Sequence, residues 1–248
     1  MVTIDFSNLG FDDFRRMALD NTLSQNEKIG FPDSYRQGFE ERIFEDINKK
    51  LTNLDLRKKT ILDIGPGCGP LAHLLLEKGK NREHHLILVD SEEMLSQLPD
   101  NNNNKKVAGH FPECKENLQT YVNGVDAILC YSVLHYIFNE SSLFKFIDTS
   151  MELLSPGGQM LIGDIPNISK RKRFFSSQPG IRFHQNFTAT EEIPSVSFTT
   201  IEPGKIDDSV ILSIIMRVRA QGCDAYWVPQ SPQLPMANRR EDILILKP

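Results

Sequence analysis

Residues 63–69, Asp-Ile-Gly-Pro-Gly-Cys-Gly, set a carboxylate beside an apolar run, Ile61 to Ile64, and follow it with glycines at every second position. Gly65, Gly67 and Gly69 let the backbone turn tightly and pass close to a ligand, while Pro66 and Cys68 occupy the positions between them. A helix opening at Pro70 would present unpaired N–H groups to the same turn, so the bend suits something flat, polar or anionic. A dinucleotide fingerprint needs a glycine where this chain has Pro70, and that reading loses ground. Asp63 reads as a residue that orients the loop or meets a ligand's ammonium. Further along, His135 follows a second apolar run and is the first candidate for a base, because a histidine near neutrality suits removal of a hydroxyl proton.

Positioning these groups requires a scaffold, and the pattern from Lys59 onward supplies one: short β-rich runs alternate with helical stretches. Strands are expected at Thr60–Ile64, His85–Val89, Lys105–Ala108, Ala127–Tyr131 and Gln159–Ile165, with two more at Ala225–Val228 and Asp242–Leu246. Helices are expected from Pro70 to Lys78, ending at Gly79, from Ser141 or Ser142 up to Pro156, and from Asp207 or Asp208 to about Gly222. Residues 1–58 read as a helical flap. Ser34 is placed to cap a helix in which Tyr35, Phe39, Ile43, Phe44, Ile47 and Leu51 form one apolar face, preceded by a short helix over Phe11–Asp20 and a capping box at Ser24 and Glu27. Residues 166–205 are polar, proline-punctuated and locally basic, six Lys or Arg against three Asp or Glu, and read as a mobile loop or lid inserted in the domain 59–248.

From Thr60 to Pro248 the chain resembles the class I S-adenosylmethionine-dependent methyltransferases, whose first motif has the form hydrophobic-D-x-G-x-G-x-G. Three further segments agree in the family's order: Leu86–Ser91 ending in Asp90, the run Ala127–Tyr136 with its S-x-(V/L)-L-H segment, and the turn Leu153–Gly158 into the fifth strand. The resemblance implies a Rossmann-like, seven-stranded, mostly parallel sheet with an antiparallel last strand, helices on both faces and an N-terminal helical extension. It implies S-adenosyl-L-methionine as cofactor and S-adenosyl-L-homocysteine as product, with Asp90 gripping the ribose hydroxyls. Ser91 and Met94 follow that acid, and Met94 is at least as well read as core as adenine contact. Where many relatives place an acid for the adenine amine, this chain has Gly109-His110-Phe111-Pro112, so backbone groups or a stacked Phe111 would substitute. Tyr131, Ser132 and Tyr136 are candidates for the wall of the site.

For the acceptor, Asp164 and Asn167 are placed to hold hydroxyls, His184 is an alternative base, and Tyr35, Arg36, Arg239 and Arg240 are candidates to close over substrate or clamp an acidic group. The basic run Lys170–Arg173, followed by Phe174 and Phe175, suits either phosphate contact or a solvated loop. The expected activity is methyl transfer to a small or medium-sized acceptor, at a hydroxyl of a sugar-containing or natural-product molecule. Alternatives are N-methylation of a small amine, tRNA or protein, a non-catalytic cofactor-binding module, and a nicotinamide oxidoreductase.

Composition narrows the field. In 248 residues there are 28 Lys and Arg against 33 Asp and Glu, a formal charge of −5, with 40% hydrophobic residues. That balance fits a globular enzyme with a sizeable core and disfavours nucleic acid as a partner. Cys68, Cys114, Cys130 and Cys223 show no paired C-x-x-C spacing, and reduced thiols are expected. No metal site, signal peptide or membrane span is expected; with reduced thiols a cytoplasmic protein is expected, as a monomer or homodimer.

Overall fold

The computed structural model describes Phe6 and residues 9–248. Within them the chain runs α1 (Phe11–Leu19), α2 (Gln25–Lys28), α3 (Asp33–Arg36), α4 (Glu40–Lys50), β1 (Thr60–Ile64), α5 (Pro70–Arg82), β2 (His85–Asp90), α6 (Glu92–Ser96), β3 (Asn104–Ala108) and β4 (Val125–Tyr131). It continues through α7 (Leu134–Glu140), α8 (Leu143–Leu153), β5 (Leu154–Pro166), α9 (Ile168–Phe175), α10 (Gln178–Thr188), α11 (Asp208–Ala220), β6 (Asp224–Val228) and β7 (Arg240–Leu246). The strands form one seven-stranded sheet in the order β3-β2-β1-β4-β5-β7-β6. The first five pair in parallel, and β7 runs antiparallel between β5 and β6, the expected architecture.

The sheet forms because its central strands are apolar on both faces, as strands covered by helices on each side must be. In β1, Leu62 and Ile64 point to one face, where they meet Phe146 and Ile147 of α8 and, further across the sheet, Ile211 and Ile214 of α11. Ile61 points to the other face, toward Ile43 and Ile47 of α4, Leu75 of α5 and Leu95 of α6. Each fully buried aliphatic side chain contributes roughly 1.5–3 kcal/mol relative to exposure. Ile43, Ile47, Leu51 and Leu54 lie in that second cluster, so the N-terminal helices share a core with the sheet.

Several elements differ from the sequence expectation. The apolar face assigned to one helix from Ser34 is divided between α3 and α4. Gly38, at φ +83°, breaks the pattern, and Ser34 is exposed inside α3 without capping anything. The capping box at Ser24 and Glu27 is present, with reciprocal bonds of 3.1 and 2.8 Å. Gly79 does not end α5; it lies under Leu86, whose Cδ1 is 2.6 Å from where a β-carbon would stand, and the helix continues to Arg82. β5 begins at Leu154 and carries the chain through Pro156-Gly157-Gly158.

In the region 166–205, α9 and α10 replace much of the expected loop. Asn167 Oδ1 caps α9 by accepting the N–H groups of Ser169 (2.9 Å) and Lys170 (3.2 Å), and Ser177 caps α10. The helix α7 and a 3₁₀ stretch at Glu113–Tyr121 have no counterpart in the sequence reading.

Candidate active site

The strand order turns back at β1 and β4, and a parallel sheet opens a crevice at the carboxyl ends of such strands. The glycine turn fills that position. Gly65 N–H donates to Val89 O at 2.8 Å, which ties the start of the turn to β2. Gly67 N–H donates to Asp90 Oδ2 at 2.9 Å, and Ser91 N–H donates to Asp90 Oδ1 at 2.7 Å. Asp90 is therefore oriented by two backbone donors, with lone pairs left for a ligand. Gly67 has φ +61°, a region that other residues enter at a cost.

A cavity opens above this turn, lined by Gly65, Pro66, Gly67 and Gly69, by Asp90 and Met94, and by His110, Phe111, Tyr131 and Ser132. Ten residues assigned to cofactor binding from sequence are thus brought together. Three are not in its lining: Cys68 is buried in the core, Ser91 caps α6 through Oγ, and Asp63 lies in β1. Asp63 is 5% exposed. Burial, reinforced by the nearby charge of Asp90, raises its pKa to about 8. Burial raises Asp90 to about 6, with the N–H groups of Gly67 and Ser91 holding it lower than burial alone would. Two adjacent carboxyls with elevated pKa values and no ion-pair partner among the described residues suit a ligand that brings positive charge and hydroxyl donors.

The N-terminal helices roof the cavity with Phe11, Phe14, Ile29, Phe31 and Arg36. Ile29 meets the glycine turn directly: a β-carbon on Gly67 would stand 2.6 Å from Ile29 Cγ2, and one on Gly69 2.7 Å from Cδ1. Phe14 packs edge-on to Tyr136 and Phe11 edge-on to His110, both with ring centroids 4.9 Å apart. Sequence reasoning assigned Arg36 but missed Ile29 and these phenylalanines; the only local signal for Ile29 is the Gly30-Phe31-Pro32 break after it.

Arg36 is buried between the rings of Phe31 and Tyr131, 4.7 and 5.6 Å from their centroids. Its Nη1 donates to Ser132 Oγ at 3.2 Å, and Ser132 Oγ donates to Asp164 Oδ2 at 2.6 Å. Ser132 and Asp164 both have positive φ, +63° and +55°, at the ends of β4 and β5. Such strain persists where the surroundings over-determine the backbone, as at binding sites. Asp164 also receives Gln230 Nε2 at 3.4 Å, while Asp242 accepts Asp164 N–H at 2.8 Å and Lys50 Nζ at 2.7 Å. The carboxylate of Asp164 anchors this network and lies in neither cavity wall.

A second cavity adjoins the first across Tyr136 and Glu140, which line both. His135, Asn167, Arg171, Lys205, Arg239 and Arg240 contribute to its wall. Burial, then Arg240, lowers the His135 pKa to about 3, so the ring is neutral; its Nδ1 is buried without a partner among the described residues. Burial raises Tyr136 to about 12. Tyr35 and His184 line neither cavity: Tyr35 stacks on Phe187 of α10 at 6.3 Å, and His184 meets Phe175 at 6.2 Å. Among the described residues no three His, Cys, Asp or Glu side chains cluster to hold a metal, and no helix is long and apolar enough to cross a membrane.

Residues 61–158 match the family described as Methyltransferase domain. Over that span the chain is similar to methyltransferase domains. No curated protein matches the sequence. Among solved structures, the chain is similar to the plantazolicin methyltransferase BamL, crystallised with a desmethyl plantazolicin analogue and S-adenosylhomocysteine, at 14% identity and TM-score 0.57, covering 94% of this chain and 97% of that one. It is similar to the N-methyltransferase NodS from Bradyrhizobium japonicum, in complex with S-adenosyl-L-homocysteine, at 13% identity and TM-score 0.55, covering 96% and 98%. It is also similar to a Haloferax volcanii methyltransferase structure that includes an activator protein, at 12% identity and TM-score 0.56, covering 95% and 98%. These likenesses show the fold, a seven-stranded sheet with five parallel strands and an antiparallel β7, to be shared with those structures.

Proposed function

We propose that the methyltransferase domain binds S-adenosyl-L-methionine in the cavity above the glycine turn and transfers its methyl group to a hydroxyl of a small or medium-sized acceptor, sugar-containing or a natural product. The observation that carries this reading is the pair Gly67 and Asp90: a backbone turn that carries no side chain of its own at Gly67, bonded to a carboxylate with acceptor capacity to spare. Asp90 would take the ribose hydroxyls, Asp63 would face the cofactor's ammonium, and Met94, His110 and Phe111 would flank the base. When bound, the cofactor supplies a methyl group already activated by the positive sulfur.

The chain's own part is alignment and exclusion of water. Phe11, Phe14, Ile29 and Phe31 cover the cavity, which keeps solvent from competing with the acceptor. The acceptor hydroxyl donates a hydrogen bond to His135, which is neutral and so retains a lone pair. A donor held there would give up its methyl group to the acceptor oxygen and keep the carbon–sulfur electron pair on sulfur, while His135 would take the hydroxyl proton. That proton passes from His135 to solvent. Tyr136, with its raised pKa, stays a neutral phenol in the wall between the two cavities.

The test is calorimetric titration with S-adenosyl-L-homocysteine, followed by mass spectrometry of an acceptor panel. Wild-type binding, lost or weakened more than about tenfold in Asp90→Ala, supports the donor site, since hydrogen bonds to a charged group are worth about 1.5–3 kcal/mol each. No binding by the wild type, or equal binding by the variant, overturns it. A product methylated at nitrogen and never at oxygen would overturn the acceptor assignment alone.

A further inference from the structure

The basic run Lys170–Arg173 does not act as a block, because a helix points successive side chains about 100° apart. Lys170 Nζ reaches Glu241 at 3.2 Å and the Arg240 carbonyl at 2.8 Å. Lys172 pairs with Glu202 at 3.0 Å, and Arg173 pairs with Asp208 at 2.5 Å. Arg171 is different. Among the described residues it has no carboxylate partner, its guanidinium lies 5.2 Å from the Phe175 ring, and it lines the second cavity.

Two other cations of that wall share its condition. Arg239 lies over the same Phe175 ring at 6.0 Å and over Phe183 at 5.6 Å, and among the described residues its guanidinium hydrogen-bonds only to Asn238 Oδ1. Lys205 has no carboxylate within ion-pair distance among the described residues. The acids of the wall are already engaged: Asp13 pairs with Arg16, Glu202 with Lys172, and Glu140 accepts the Phe11 N–H at 3.2 Å. Arg240 is turned away to the Asp164 carbonyl at 3.0 Å. Three unneutralised cations therefore converge on a hollow that adjoins the donor cavity. Two guanidiniums beside one ring repel each other until an anion sits near both. The field is visible in their neighbours: burial, then Arg240 and Arg171, lowers the pKa of Arg239, and Lys205 adds to the depression of His135.

We propose that the second cavity is the acceptor site and that Arg171, Lys205 and Arg239 recognise a phosphate or carboxylate group carried by the acceptor. This deepens the reading given above and rests on it for the position of the donor. The two arginines supply planar forks that suit such oxyanions in paired hydrogen bonds, and Lys205 supplies a mobile point charge. The acceptor's anionic end would lie toward α9, and its hydroxyl toward His135 and Tyr136.

The experiment is calorimetric titration of inorganic pyrophosphate, and separately succinate, at low ionic strength into the wild-type chain with and without S-adenosyl-L-homocysteine. One binding site for either anion is expected, with the tighter of the two assigning phosphate or carboxylate. Arg171→Gln and Arg239→Gln should each weaken that binding about tenfold, while their affinity for S-adenosyl-L-homocysteine stays at the wild-type value. Arg173→Gln removes the same charge from the same region but outside the cavity, and should change affinity by less than about twofold, as for an exposed pair. Melting curves establish that each variant folds, and Lys205→Gln serves where Arg239→Gln does not. Failure of both anions to bind, or an Arg173→Gln effect as large as that of Arg171→Gln, overturns the proposal. Absence of S-adenosyl-L-homocysteine binding would instead count against the donor site, and anion binding to the unloaded chain would still be measured independently.

Discussion

Arg36 and Ser132, 96 residues apart, meet through a 3.2 Å hydrogen bond, and Ser132 in turn donates to Asp164 at 2.6 Å. The contact joins the N-terminal helices to the ends of β4 and β5, beside the glycine turn. Arg36 and Arg240 both lie within 4 Å of Asp164 Oδ2, at 3.9 and 3.8 Å. One carboxylate thus neutralises two largely buried cations. Asp164→Asn keeps the shape, and asparagine tolerates the φ of +55°, so the change removes charge with little backbone penalty. We expect a loss of about 3–5 kcal/mol in urea unfolding, the usual consequence of leaving a buried charge unpaired. A loss below about 1 kcal/mol would show that the two arginines find other partners.

Asp63 makes stability depend on pH in a direction opposite to that of a salt-bridged acid. Its pKa is raised to about 8, so the folded chain keeps a proton that the unfolded chain releases near pH 4. The group's contribution is intact below pH 4 and is lost as pH rises toward 8. Asp63→Asn removes that penalty. The melting temperature of the variant should exceed that of the wild type by a margin that widens from pH 4 to 8, at about 2–4 °C per kcal/mol for a chain of this size. Binding of S-adenosyl-L-homocysteine to the wild type should tighten over pH 6–8, as its ammonium displaces the proton, and the variant should lose this slope. A constant margin and a flat binding profile would remove Asp63 from the site.

Gly67 and Ile29 are coupled sterically. Gly67→Ala places a methyl group 2.6 Å from Ile29 Cγ2 and adds the cost of a side chain at φ +61°. Ile29→Ala clears the space but leaves the dihedral cost, which is about 1–2 kcal/mol. In a double-mutant cycle the two changes should show a favourable coupling of about 0.5–3 kcal/mol in stability. Additive effects would mean that Ile29 does not bear on the turn.

His135 is neutral over the working range, because burial and Arg240 lower its pKa to about 3. With a verified acceptor, the pH–rate profile should therefore show no inflection near 6.5 attributable to this ring. His135→Ala should reduce turnover by about 10²–10⁴-fold, the usual worth of a positioned base, while cofactor affinity changes little. Normal turnover in the variant would assign proton removal elsewhere.

Much of the donor site is legible in the sequence because it is built from local patterns. The acid, the three glycines and the helix start stand within ten residues, and Asp90 ends the next strand. The roof is not legible in the same way: Ile29, Phe11 and Phe14 reach the turn only after the chain has folded back over it. The helices of region 166–205 escaped for a different reason. α9 contains no buried residue and α10 buries only Gly180, and the polar, proline-punctuated composition of the segment reads as loop. Arg171 also looked equivalent to its three basic neighbours, since the acids that distinguish them, Glu241, Glu202 and Asp208, come from later in the chain.

The methyl groups of Ile29 rest where side chains on Gly67 and Gly69 would otherwise be. A molecule seated against that turn must therefore lift the segment carrying Ile29 or slide beneath it. We expect exchange of a donor bound there to require movement of the segment that carries Ile29. Where Ile29→Ala folds, we expect it to hold donor in a more open trough, with faster exchange and poorer protection from water.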